Sequence, residues 1–289
     1  MNTFFLHVGL HKTATTSLQA ALFPNISGVN YIGRYAEGPI CGDPLYYRIV
    51  KYTFSPNLPT EKDQKFLKHI IFSRLQKEAL LLSDEWFTSD YDQLFGLKSC
   101  SWQEKMYRLG SLLRDVPVKV LVTTREPVEA VYSMYCEMKQ EKQLKGCEGL
   151  FHYVVSDNSA LAYRKKYLED LIWILFEKKP DYLDFNDIKQ NNYYGKLSDF
   201  FGIDVSAKIQ ERNAKVRRSD GVEIVAETYG YQLIRYFWLR LPVNIRSMVG
   251  RRFFSAFRTS LRAKFSEKKV IPRPDEQELQ IVKKFLGNG

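Results

Sequence analysis

Two spacings of apolar residues alternate along this chain. Short, nearly continuous apolar runs at 4–8, 78–86 and 118–122 have the length and the aromatic or aliphatic content of buried strands, and VNYIG at 29–33 reads as a shorter one. Between and after them, 15–23, 62–77, 102–113 and 161–176 set apolar residues three and four apart, the spacing of one helical face. Strands alternating with helices predict an α/β fold, a central parallel sheet flanked by helices. The stretch 34–59 is rich in Gly, Pro and Tyr and reads as a loop over the crevice of that sheet. Past Asp220 the pattern shifts. The stretch 222–241 reads as one helix, Pro242 interrupts, and Ile245, Val249, Phe253, Phe257, Leu261 and Phe265 recur every four residues with Arg246, Arg251, Arg252, Arg258, Arg262 and Lys264 between them. The expected organisation is a domain over 1–219 and a basic amphipathic helical extension over 220–289, packed on the same domain. With 289 residues and 45% apolar content, the chain can bury one large core.

The strand-to-helix junctions carry the chemistry. The first run ends at Gly9 and feeds a tight loop holding His11, Lys12 and the hydroxyls of Thr13, Thr15, Thr16 and Ser17 before a helix begins. Backbone N–H groups and a positive helix terminus aimed at one point, with a lysine added, suit an anionic group such as a phosphate. Only Leu10 and His11 separate Gly9 from Lys12, and no glycine directly precedes the lysine, so this loop is shorter than an ATP-binding Walker A loop. At the end of the 118–122 run stands Arg125, then Pro127 suited to a first helical turn, with Ser133 eight residues beyond the arginine. The bland reading of Arg125 is a first-turn salt bridge to Glu126 or Glu129. Ser83, Asp84 and Glu85 close the 78–86 run. In an ATP-using enzyme this would be a Walker B strand with Asp84 on magnesium, and as plain structure it would be a helix cap.

The form G-x-x-K-T-x-T-T-S-L-Q after an N-terminal strand resembles the 5′-phosphosulfate loop of sulfotransferases that use 3′-phosphoadenosine 5′-phosphosulfate (PAPS), most closely the bacterial carbohydrate-type branch, whose loop often reads H-I-G-x-x-K-T-G-T-T. Arg125 and Ser133 are similar to that family's 3′-phosphate site, R-x-P-x-x-x-x-Y-S, and LLLSDE is similar to its L-L-x-S-x-E segment. The segments 180–188 and 195–204 resemble its late strand and following helix. The resemblance covers most of residues 2–219.

It implies a P-loop-like three-layer fold in which Gly9, His11, Lys12, Thr13, Ala14, Thr15, Thr16 and Ser17 hold the phosphosulfate and Arg125 with Ser133 the 3′-phosphate. Glu85 would be the general base, Lys12 would stabilise the leaving oxygen, and His11 or His7 would be the alternative base. Burial is expected to raise Glu85 from the ordinary ~4.3 towards neutrality. Acceptor contacts are expected from His7, Arg34, Tyr35, Asp84, Arg212 and Asn213, with Tyr46, Tyr47 and Arg48 near them and Lys215, Arg217 and Arg218 as softer basic contacts. The family reaction needs no metal, and its acceptor is a hydroxyl or amine, typically of a glycan. Ala14 departs from the family glycine, so a positive φ there would strain the loop.

A net charge of +10 and a pI near 9.2 call for an anionic ligand or surface without choosing one. No zinc-finger or RNA-recognition signature appears and the basic residues are not confined to one recognition helix, so nucleic acid is not an expected partner. The basic helix of the extension suits either an anionic membrane or packing on the core. Cys41, Cys100, Cys136 and Cys147 show no C-x-x-C spacing, and His69 and His152 have no ligand-like neighbour, which argues against zinc or a dithiol site. Without a basic leader or a long apolar run, the expected compartment is the cytoplasm, with peripheral contact on the inner membrane face through the basic helix, as in bacterial members. Two other readings stay open: a kinase or NTPase using magnesium-ATP, and an inactive module that binds an anionic glycan or membrane.

Overall fold

The computed structural model describes residues 2–34, 43–91, 99–140, 148–205, 217–218, 221–227 and 266–287. Tyr35, Cys41, Cys147, Arg212, Asn213, Lys215 and the four-residue repeat at 245–265 lie outside the described residues.

In chain order the elements are β1 (Phe4–Gly9), α1 (Thr15–Ser17), β2 (Val29–Tyr31), α2 (Pro44–Phe54), α3 (Glu61–Leu75), β3 (Ala79–Ser83), α4 (Trp102–Leu113), β4 (Val118–Thr124), α5 (Pro127–Gln140), α6 (Leu150–Ser156), α7 (Lys165–Phe176), β5 (Asp181–Asp184), α8 (Phe185–Lys189) and α9 (Tyr194–Phe201). The extension contributes β6 (Arg217–Arg218), β7 (Gly221–Glu227), β8 (Ser266–Pro272) and α10 (Glu276–Gly287). Strands β2-β3-β1-β4-β5 form one sheet in that order, every pair parallel, with Leu6 opposite Leu82 on one side and Val120 on the other.

Both faces of the sheet are covered, which is why its strands are continuous apolar runs rather than alternating ones. Phe4, Leu6, Val8, Leu80, Leu82, Val118, Val120 and Val122 pack into the layer of α2 to α7, while Phe5, Leu81, Leu121 and Leu183 pack against Leu18, Leu22, Phe23 and the apolar side of α9. The expected three-layer α/β architecture is therefore present. Val222, Ile271, Val282 and Leu286 of the extension belong to the first of these clusters.

Three local expectations are corrected. Residues 34–59 hold a helix, α2, because Pro44 sits at its first turn, Asp43 Oδ1 accepts from Leu45 N at 2.8 Å, and Leu45, Tyr46, Ile49, Val50 and Thr53 recur with helical spacing on the buried side. The start of the 222–241 segment is strand β7, paired antiparallel with β8, so its β-branched residues are fixed by a partner some forty residues away and not by local periodicity. The 15–23 helix is one α turn followed by a π turn over Leu18–Leu22 and a 3₁₀ turn over Phe23–Asn25. These wider and tighter turns bring Leu18, Gln19, Leu22 and Phe23 all inward. Among the described residues no helix is long and apolar enough to cross a membrane.

The sheet order sets the site. The chain leaves β1 towards β2 and leaves β4 towards β5, in opposite directions, so a crevice opens at the carboxyl ends of these two adjacent strands.

Candidate active site

The loop after β1 is held by its own side chains. A Cβ on Gly9 would lie 2.5 Å from Thr15 Oγ1, so only glycine allows the loop to fold back this closely. Thr13 Oγ1 donates to the Leu10 carbonyl at 2.6 Å and meets Thr123 Oγ1 of β4 at 2.7 Å, and Thr15 Oγ1 also reaches the Leu10 carbonyl, at 3.3 Å. Two of the four hydroxyls read as phosphate donors therefore brace the loop. Thr16 and Ala14 are half-buried and Ser17 is buried. Lys12 and Ala14 both have φ of 67°, so the family glycine position does adopt the left-handed conformation here and alanine strains it.

Beneath the loop, His7 ties three strands together. Its Nδ1 meets Ser83 Oγ of β3 at 2.7 Å, its Nε2 meets Thr123 Oγ1 at 3.3 Å, and Gln19 Nε2 donates to the same Ser83 Oγ at 3.0 Å. His7 is wholly buried, and burial holds its pKa down to about 3, so the ring is neutral and orients the loop rather than meeting an acceptor.

Arg125 arrives at the same crevice from the end of β4. Its Nη1 donates to the Lys12 carbonyl at 3.3 Å, its Nη2 lies 3.4 Å from Glu129 Oε2, and its guanidinium stacks over Phe185 at 4.8 Å. The first-turn salt bridge to Glu129 is thus present, and the guanidinium also reaches the lysine loop. Lys12 is ion-paired with Glu137 of α5. Ser133, half-buried, stands one helical turn from each of Glu129 and Glu137 on the same face of α5.

Glu85 opens the 3₁₀ turn Glu85–Thr88 that follows β3. Arg34 Nη1 donates to its Oε1 at 3.2 Å and His11 Nδ1 lies 3.9 Å from its Oε2. The sequence expectation that burial would raise its pKa is corrected: burial does push it up, but His11, Arg34 and Lys12 together hold it below the ordinary carboxylate range. His11 itself is lowered to about 4 by burial, more than Glu85 restores. It is therefore neutral at pH 7, and Arg34 and Lys12 are the charges that keep Glu85 ionised there. His11 Nε2 is buried with no hydrogen-bond partner, and the ring meets Trp86 edge-on at 4.7 Å.

Asp84 does not face the crevice. It is buried, its Oδ2 accepts from Tyr46 Oη at 2.7 Å, and its Oδ1 accepts from Trp86 N at 3.0 Å, capping the turn that carries Glu85. Burial raises its pKa. Each of its oxygens accepts a hydrogen bond from the protein, so the structural reading of Asp84, the cap of the turn that carries Glu85, is present. Tyr46 is buried on the inner side of α2, whereas Tyr47 and Arg48 are exposed on the outer side and line a surface groove with Phe66.

Sequence reasoning missed three supports. Lys105 of α4 is buried and donates to the carbonyls of Ser89 at 2.6 Å and Trp86 at 3.3 Å, holding the far side of the Glu85 turn. Tyr163 Oη donates to the His11 carbonyl at 2.9 Å, and Glu137 meets Lys12. Only Lys105 carries a sequence signal, a polar residue at an otherwise apolar helical position, and that does not say which loop it serves.

No protein-family description matches the chain, and no curated protein matches it. A solved sulfotransferase from Alicyclobacillus acidocaldarius is similar in structure, with 11% sequence identity over 75% of this chain and 87% of that chain and a TM-score of 0.45.

Proposed function

We propose that this protein is a sulfotransferase of the carbohydrate type, moving a sulfuryl group from PAPS to a hydroxyl or amine of a glycan acceptor. The observation that carries this reading is the meeting of Lys12 and Arg125, from two separate junctions, at the carboxyl ends of adjacent parallel strands, with the guanidinium bonded to the lysine's own carbonyl. Two cations carried to one crevice fit a ligand with two anionic groups, and the loop that carries one of them is too short for the usual ATP cradle.

Lys12 would hold the bridging oxygen that becomes the leaving phosphate, and Arg125 and Ser133 the 3′-phosphate. Glu85, ionised at neutral pH, would accept the proton of the acceptor hydroxyl as that oxygen attacks sulfur. Its low basicity means that most of the acceleration must come from positioning and charge stabilisation. Arg34 holds one carboxylate oxygen of Glu85, which leaves Oε2, on the His11 side, for the acceptor. The motif likeness to the bacterial branch supports a cytoplasmic setting, with peripheral membrane contact through the basic segment at 245–265.

The test is calorimetric titration with 3′-phosphoadenosine 5′-phosphate (PAP) without magnesium, against ATP with magnesium. Tight PAP binding that is lost in Arg125→Ala, followed by turnover lost in Glu85→Gln with binding kept, is the expected pattern. Preference for magnesium-ATP would overturn the reading.

A further inference from the structure

Helix α5 carries a stripe of two carboxylates aimed at the donor cations. Glu129 and Glu137 are eight residues apart with Ser133 midway, so all three share one helical face. Glu129 Oε2 lies 3.4 Å from Arg125 Nη2, and Glu137 is paired with Lys12. The two anions of the stripe thus engage the same two cations that the proposed donor would need, one each.

We infer that Glu129 and Glu137 are affinity-setting residues of the donor site, acting as internal counter-ions that the ligand's 3′- and 5′-anionic groups must displace. The identity of the ligand rests on the sulfotransferase reading; the displacement does not. Both carboxylates are 35% exposed, so each can turn to water when displaced and stays close enough to weaken the incoming anion. Glu129 has a second cation to move towards, because Arg273, just past β8, lies 3.6 Å from its Oε1. Tyr132 Oη fixes that end of β8 by donating to the carbonyls of Ile271 at 3.1 Å and Pro272 at 3.2 Å. Glu126 is engaged elsewhere, accepting from Glu129 N at 2.7 Å, so it adds no third counter-ion. The consequence is a donor site tuned for release: a doubly anionic product held by two unopposed cations would leave slowly, and the stripe speeds its departure.

The two carboxylates act on different groups of the ligand, and this separates the outcomes. Titrations of PAP, 5′-AMP and inorganic pyrophosphate into the full chain and into Glu137→Gln and Glu129→Gln are compared, with Glu137→Ala as a second variant and thermal melts as the folding check. Glu137→Gln is expected to tighten all three ligands by about fivefold, and Glu129→Gln to tighten PAP by a similar factor and leave 5′-AMP unchanged. If Glu137→Gln tightens pyrophosphate while PAP binds no better than 5′-AMP, the counter-ion role of Glu137 stands and the sulfotransferase reading falls. Unchanged or weaker binding of every ligand in Glu137→Gln and Glu137→Ala, or no binding to either, overturns the inference.

Discussion

Acid should unlock this fold through His7 before the carboxylates titrate. The ring sits among Ser83, Thr123 and Phe23 with no exposed surface, and its pKa is lowered from 6.5 to about 3 by that burial. His11, lowered to about 4, behaves alike. A histidine whose folded pKa is depressed keeps its full contribution above pH 6.5. Below that the unfolded chain binds the proton and the folded one does not, so stability falls with pH until the folded pKa is reached. Each such group costs about 1.4 kcal/mol per pH unit, so between pH 6.5 and 5 the pair removes roughly 4 kcal/mol, against a total of about 5–15 kcal/mol for an ordinary domain. Urea unfolding at pH 7, 6 and 5 measures this directly, above the range where unfolded carboxylates begin to protonate. In His7→Gln, which removes the titrating ring and keeps polar atoms for the two hydroxyls, the loss over the same range should shrink to about half, whatever the variant's stability at pH 7. A flat stability between pH 7 and 5, or an unchanged slope in His7→Gln, would refute the claim that the neutral ring is locked under the loop.

Three further outcomes follow from the site. Ala14→Gly relieves a left-handed alanine and should raise stability by about 0.5–1 kcal/mol in thermal unfolding, even after the greater flexibility of unfolded glycine is counted. Tyr46→Phe leaves a buried Asp84 oxygen without its 2.7 Å donor and should cost about 1–3 kcal/mol by denaturant titration, with turnover falling more than PAP affinity because the Glu85 turn loosens. Arg34→Met removes one of the charges that hold Glu85 low, so the acid limb of the rate profile should move to higher pH. A limb that stays in place would mean that Glu85 is not the group being titrated.

Much of the candidate site's placement was legible because it is local. Gly9, Lys12 and the threonines lie within one strand-loop-helix junction, and Arg125 directly follows the last residue of its strand, so strand ends alone placed them on the same rim of a parallel sheet. The acid pair was not legible in the same way. Asp84 and Glu85 are adjacent and chemically alike, yet one is sealed under Tyr46 as a cap and the other is drawn to Arg34, and that division is made by α2, a helix disguised by its proline and tyrosines as a loop. The direction of Glu85's pKa shift was misjudged for the same reason. Burial is visible in a sequence as apolar surroundings, whereas the cations that outweigh it come from positions fifty and seventy residues away.

By itself the sequence determined the period of its apolar residues, and with it a doubly covered parallel sheet and the junctions where an anion could be held, because strand period and loop chemistry are properties of neighbouring residues. Only the tertiary structure decided which charges face one another: Glu137 against Lys12, Glu129 against Arg125, Arg34 against Glu85, and the pairing of β7 with β8 where a helix was expected. Those contacts depend on how distant segments cross, and electrostatic energy depends on distance in space rather than along the chain.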